Sequence, residues 1–209
     1  MMKTPVDKQT GWRGSEELWL KAAYEMLIEA GIDSVKVMPL ARRIKMSRTS
    51  FYWHFENRQA LLEALIFRWK EKNTGNLISQ TTVYAETISE ALLNLFDCWV
   101  NPDLFDASME FAIRNWAHQS ADLKEILDNT DRERIAAIRS LFERYGFNPI
   151  QADIRAHTVY YTQVGYIAMM VDEPLTERLE KMPAYVETFA GSYPSKSEIS
   201  RFRSRHTNS

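Results

Sequence analysis

The chain has 209 residues, 45% of them hydrophobic and 12% aromatic, enough apolar material for one generous core or two small ones. A net charge of -2 argues against a chain that coats nucleic acid along its whole length, and one cysteine, Cys98, excludes an internal disulfide. No run reaches the roughly 18 to 20 apolar residues of a membrane span, and Met1–Gly11 lacks the apolar centre of a secretion signal, so a cytoplasmic location is expected.

Alternating β-branched runs are absent, and the spacing predicts an all-α fold of about nine helices. The first starts at Ser15, an N-cap followed by Glu16 and Glu17 near the positive end of the dipole, and stops at Gly31. Its expected buried stripe is Leu18, Ala22, Ala23, Met26, Leu27 and Ala30. A short second helix carries Pro39 in its first turn, with Leu40 and Ile44 one turn apart, and ends near Lys45. Ser47 caps a third helix, with Met46 and Phe51 placed as a hydrophobic staple and Phe51 and Phe55 facing inward. A long helix follows from Arg58, its apolar side formed by Leu61, Leu62, Leu65, Ile66 and Trp69.

Five further helices are predicted at roughly 84–100, 104–118, 120–145, 149–172 and 175–190, broken near Pro102, Gly146, Pro149 and Pro174. The stretch from Ser192, rich in Ser, Lys and Arg without an apolar period, is expected to be a disordered tail. The expected domains are therefore 1–60, 61–191 and a tail at 192–209. Through Lys72 there are 13 Lys/Arg against 9 Asp/Glu; from Asn73 to Ala190 there are 9 against 18. A basic head on an acidic body points to one DNA-facing end.

Pro39 to His54 has the form of a helix-turn-helix: a helix of about seven residues, a short turn, and a second short helix opening on small polar and basic residues. With Phe51 and Phe55 inward, Arg48, Thr49, Ser50, Tyr52 and Trp53 are left outside, where a major groove would receive them. Exposed Tyr52 and Trp53 call for a partner unless both fold back onto the long helix. His54 fits packing and capping at the helix end better than base reading.

The segment LARRIKMSRTSFYWHFENRQALL, from Leu40 to Leu62, closely resembles the DNA-binding domain of the TetR family of regulators. Ala41, Ser47, Phe51, Tyr52, His54, Phe55 and Leu62 fall on the family's recurrent pattern, and the resemblance is strong over residues 15–65. It implies that Ser50 and Tyr52 contact phosphates, that Arg48, Thr49 and Trp53 approach bases, that Arg58 stands where a lysine usually holds the DNA backbone, and that Lys36 touches phosphate. Two departures stand out. Lys45 occupies a turn site usually held by Gly, at a cost on the order of 1 kcal/mol if that site needs positive φ, and Pro39 replaces a residue that is often charged.

Beyond residue 65 only the helical layout matches the family. The resemblance implies a helical ligand-binding and dimerisation domain, a homodimer on double-stranded DNA, and a pocket for a small, often hydrophobic effector. Leu175, Leu179, Met182, Val186 and Phe189, with Gly165 and Ala168 beside them, are the expected dimer faces, an intramolecular core being the alternative. Met109, Ile113, Trp116 and Tyr161 are the candidate pocket residues, although pocket lining and plain core look alike in sequence. No metal spacing, phosphate loop or nucleophile elbow is present, so neither enzyme nor cofactor is expected. Cys98, at helical spacing between Leu95 and Trp99, reads as a buried thiol. The function expected is a sequence-specific transcriptional regulator, a ligand-responsive repressor on a near-palindromic operator; the alternative is a helical ligand-binding or interaction module that does not bind DNA.

Overall fold

A computed structural model describes residues 15–207, so the expectation for Met1–Gly11 lies outside the described residues, as do the last two positions of the expected tail. The described residues are helical throughout, without a strand. The chain divides into two compact units, Met1–Leu65 and Ile66–Ser209. The division falls within the long helix α4 (Arg58–Trp69) rather than at 60/61.

In the first unit, α1 (Glu16–Ala30) begins where Ser15 Oγ accepts the Leu18 amide at 3.3 Å and ends at Gly31, whose φ of 75° suits a residue without Cβ. A 3-10 turn (Ile32–Ser34) leads to α2 (Val37–Arg43), with Pro39 in its first turn, and then to α3 (Arg48–Phe51). The buried stripe of α1 is Trp19, Leu20, Ala22, Ala23 and Leu27, whereas Leu18 and Met26 are half-buried and Ala30 is exposed. The face is thus rotated toward Trp19, whose ring meets Phe51 edge-on at 5.3 Å; Phe51 in turn lies 5.5 Å from Phe55. Arg43 ties α2 to α1 through Glu25 at 3.1 Å and Glu29 at 2.6 Å, a solvent-facing brace worth little by itself.

In the second unit the helix started by α4 continues through a π-helical segment (Lys70–Gly75) into α5 (Asn76–Thr82). The remaining helices are α6 (Ile88–Val100), α7 (Ala107–Ala117), α8 (Ala121–Arg144), α9 (Pro149–Ala168), α10 (Leu175–Ala190) and α11 (Lys196–His206). Ser89 and every residue of α6 from Ala91 to Val100 are buried, as expected of a helix that is apolar nearly all round and packs against α5, α10 and α11. Cys98 lies there, and burial pushes its thiol up to about 12.

Two expectations are corrected. The stretch from Ser192 is not an irregular tail: α11 opens on a capping box between Ser195 and Glu198 and buries Phe202 in the core. Ion pairs dock it on α6, from Arg201 to Glu90 at 2.6 Å and from Arg205 to Asp97 at 2.9 Å, and His206 Nε2 lies within hydrogen-bond distance of Asp97 at 2.7 Å. The apolar face of α10 is also not open to a partner. Leu179, Met182, Val186 and Phe189 are buried within the unit, leaving only Leu175 of the expected set on this helix exposed.

Candidate functional site

Between α2 and α3 the chain must reverse in a few residues, and it does so at Lys45, whose φ of 55° is left-handed. This is the site at which the sequence lacked the expected Gly, and its side chain carries the strain. The Met46 amide donates to the Ala41 carbonyl at 2.8 Å, and Ser47 Oγ caps α3 by accepting the Ser50 amide at 3.1 Å. Phe51 and Phe55 turn inward, so the orientation of α3 is fixed by its buried aromatic side.

The outer side of α3 and its following turn presents Arg48, Thr49, Tyr52 (46% exposed) and Trp53 (65% exposed) together. Neither aromatic folds away from solvent. Arg48 Nη2 donates to the Tyr52 hydroxyl at 3.1 Å, and its guanidinium carbon lies 5.5 Å from the centre of that ring. Lys36 is the exposed N-cap residue of α2.

Two of the expected DNA contacts are placed differently. Ser50 is buried (7% exposed) because it follows Phe51's side of the helix rather than that of Thr49. Arg58 is half-buried and donates to the carbonyls of Val35 and, at 3.0 Å, Ile32, so its guanidinium braces the turn before α2. A lysine could not span both carbonyls with a planar fork. His54 is half-buried and its Nε2 has no hydrogen-bond partner among the described residues, in keeping with packing rather than an outward role.

In the second unit, Met109, Ile113 and Trp116 line the buried face of α7, whereas Tyr161 is 60% exposed and does not join them. The inward residue is its neighbour Tyr160. A buried polar cluster lies at that place. Glu110 accepts hydrogen bonds from Arg134 (2.8 Å), Arg114 (3.0 Å), Trp69 Nε1 (2.7 Å) and Asn73 (3.0 Å). Arg114 also pairs with Asp131 at 2.7 Å, and the Tyr160 hydroxyl receives Arg134 at 3.0 Å while donating to Asp131 at 2.7 Å. Burial would raise the Glu110 carboxyl, but Arg134 and Arg114 overturn this and hold it down at about 2. Arg134 is fully buried between the rings of Trp69 and Phe105, at 5.1 and 5.7 Å, and its Nη2 has no hydrogen-bond partner among the described residues. The sequence reading missed this cluster; the i, i+4 pair Glu110 and Arg114 was its one visible sign.

Along α9 a second surface is open. Ile150, Ile154, Thr158 and Tyr161 recur at helical spacing and are exposed, and a groove of about 360 Å³ runs past the first three toward Thr188 and Phe189 of α10.

Residues 20–65 match the family model described as bacterial regulatory proteins, tetR family. Over residues 20–65 the N-terminal unit is similar to the TetR family of bacterial regulatory proteins. Within it, 46 residues are 46% identical to the class G tetracycline repressor protein of Vibrio anguillarum, a match that covers 22% of this chain and 22% of that repressor's length. TetR-family likeness beyond this domain is a likeness of fold. A transcriptional regulator of the TerR/AcrR family from Aquifex aeolicus VF5 superposes with a TM-score of 0.64 at 17% identity, covering 84% of this chain and 99% of its own. Salmonella enterica GusR superposes with a TM-score of 0.59 at 16% identity, covering 96% of each chain. Among the described residues no helix is long and apolar enough to cross a membrane, and no three His, Cys, Asp or Glu are grouped to hold a metal ion.

Proposed function

We propose that this protein is a transcriptional regulator rather than an enzyme: a homodimer in the cytoplasm that binds double-stranded DNA through α3 and is released from it by a small-molecule effector. The observation that carries the reading is the exposed set Arg48, Thr49, Tyr52 and Trp53 on α3 of a domain similar to the TetR family. Arg48 offers guanine a bidentate contact and Thr49 a methyl for thymine. Lys36 and Tyr52 remain the proposed phosphate contacts; Ser50 is buried, and the Arg58 guanidinium donates to the carbonyls of Val35 and Ile32.

The dimer face in this reading is the outer side of α9, through Ile150, Ile154 and Tyr161, with the adjoining groove. A twofold dimer pairs two recognition helices and selects a near-palindromic operator. The effector would enter near Met109, Ile113 and Trp116, where the Glu110 and Arg134 cluster gives an otherwise apolar core its polar anchor. An effector preferring the DNA-incompetent dimer by about 3 kcal/mol would weaken operator binding roughly 150-fold. Repression is the regulatory sense supported by the name of the tetracycline repressor relative.

The test is selection from a random duplex pool by the purified protein at about 0.15 M salt, where the Debye length of roughly 8 Å screens weak non-specific attraction. Enrichment of a near-palindrome is expected. No enrichment by an intact dimer would favour the helical interaction module instead.

A further inference from the structure

We propose that Tyr52 is a positioning residue for base reading: its hydroxyl fixes the Arg48 guanidinium so that the end-on edge, Nη1 with Nη2, is the one presented to a guanine. This rests on the DNA-binding reading above and adds to it a named element of sequence specificity.

Arg48 opens α3 and Tyr52 closes it, four residues apart and so on one face. Two donors of the same guanidinium edge converge on one phenolic oxygen, Nη2 at 3.1 Å and Nε at the longer distance of 3.4 Å. A guanidinium has five N–H donors in a planar fork. With the Nε and Nη2 side turned to Tyr52, the parallel pair left outward is the one that matches guanine O6 and N7. The Tyr52 ring is itself held: the fully buried Phe51 meets it edge-on, at 5.3 Å and 89°. Orientation therefore passes from the core through Phe51 and Tyr52 to Arg48. Because Tyr52 only accepts from Arg48, its own O–H remains available to donate to a phosphate oxygen.

The anchor replaces flexibility that an exposed arginine otherwise loses on binding, so the preference it supports is one of orientation as well as contact. The experiment measures operator preference for the wild type, Arg48→Ala, Tyr52→Phe and the double variant, using the operator selected by the wild type and versions changed at each base pair. Circular dichroism melting checks that each variant folds, as expected for exposed side chains. Arg48→Ala should flatten preference for one G·C pair per half-site by about 5- to 150-fold. Tyr52→Phe should relax the same pair by about two- to tenfold and have no effect there once Arg48 is gone. Equal weakening on every sequence, with the preference intact, would overturn the proposal and leave Tyr52 as a phosphate contact alone. If the wild type selects no site at all, the DNA-binding reading falls and the role of Tyr52 falls with it, a result distinct from uniform weakening.

Discussion

Glu110→Gln keeps the shape of the side chain at the centre of the buried cluster and removes its charge. In the wild type one Glu110 oxygen serves Arg134 and Arg114, and the other serves Trp69 Nε1 and Asn73. Glutamine can satisfy the first pair, but at the second position its amide places a donor against two donors. The cluster also changes from two arginines balanced by Glu110 and Asp131 to an uncompensated positive charge. Breaking a buried ion pair in this way costs about 3–5 kcal/mol, which for a chain of this size lowers the melting temperature by roughly 6–20 °C. Calorimetry at pH 7 reads this directly. Because the folded pKa is depressed to about 2 from 4.5, the stabilisation is present above pH 4.5 and is lost as pH falls toward 2. The wild type should therefore converge on the variant under acid. Melting of Glu110→Gln within 2–3 °C of wild type at pH 7, on the order of 1 kcal/mol, would refute the assignment of a compensating charge. Glu110→Leu combined with Arg134→Met should recover much of the loss, since an apolar pair leaves no stranded ion.

Lys45→Gly should raise the stability of the N-terminal unit by up to about 1 kcal/mol, read as a shifted urea midpoint, because φ at this turn is 55°; no shift would mean that the turn relaxes around lysine. Ile154→Asp should yield a monomer in sedimentation velocity while leaving the helical signal unchanged, since the side chain is exposed in the single chain. An unaltered dimer would move the interface away from α9. Cys98 should react with a disulfide reagent only after denaturation, its burial having pushed the thiol up to about 12.

The helix-turn-helix was legible because its parts have local causes, Ser47 as a cap and Phe51 and Phe55 as an inward pair, although the left-handed turn at Lys45 lacked the Gly that would have marked it. Individual sides of short helices were less so. In sequence, Ser50 reads as outward only because Phe51 and Phe55 are the inward pair, and Arg58 is assigned to the DNA backbone by resemblance alone, yet one follows the buried edge of α3 and the other finds carbonyls of residues 32 and 35 that only the fold brings near. Tyr160 and Tyr161 are adjacent and chemically alike, so only the packed helix decides which turns inward. α11 escaped notice because its docking depends on partners more than 100 residues away, with Phe202 as its main apolar contact; no periodicity test sees such ion pairs.

The docking of α11 also gives the protein a terminal reporter. Arg201, Arg203 and Arg205 are cleavage sites for trypsin, yet all three lie within a hydrogen-bonded helix that a protease must unwind before it can cut. Cleavage at these arginines would then be timed by detachment of this helix from α6, and a brief digestion could follow the integrity of α6 without any label.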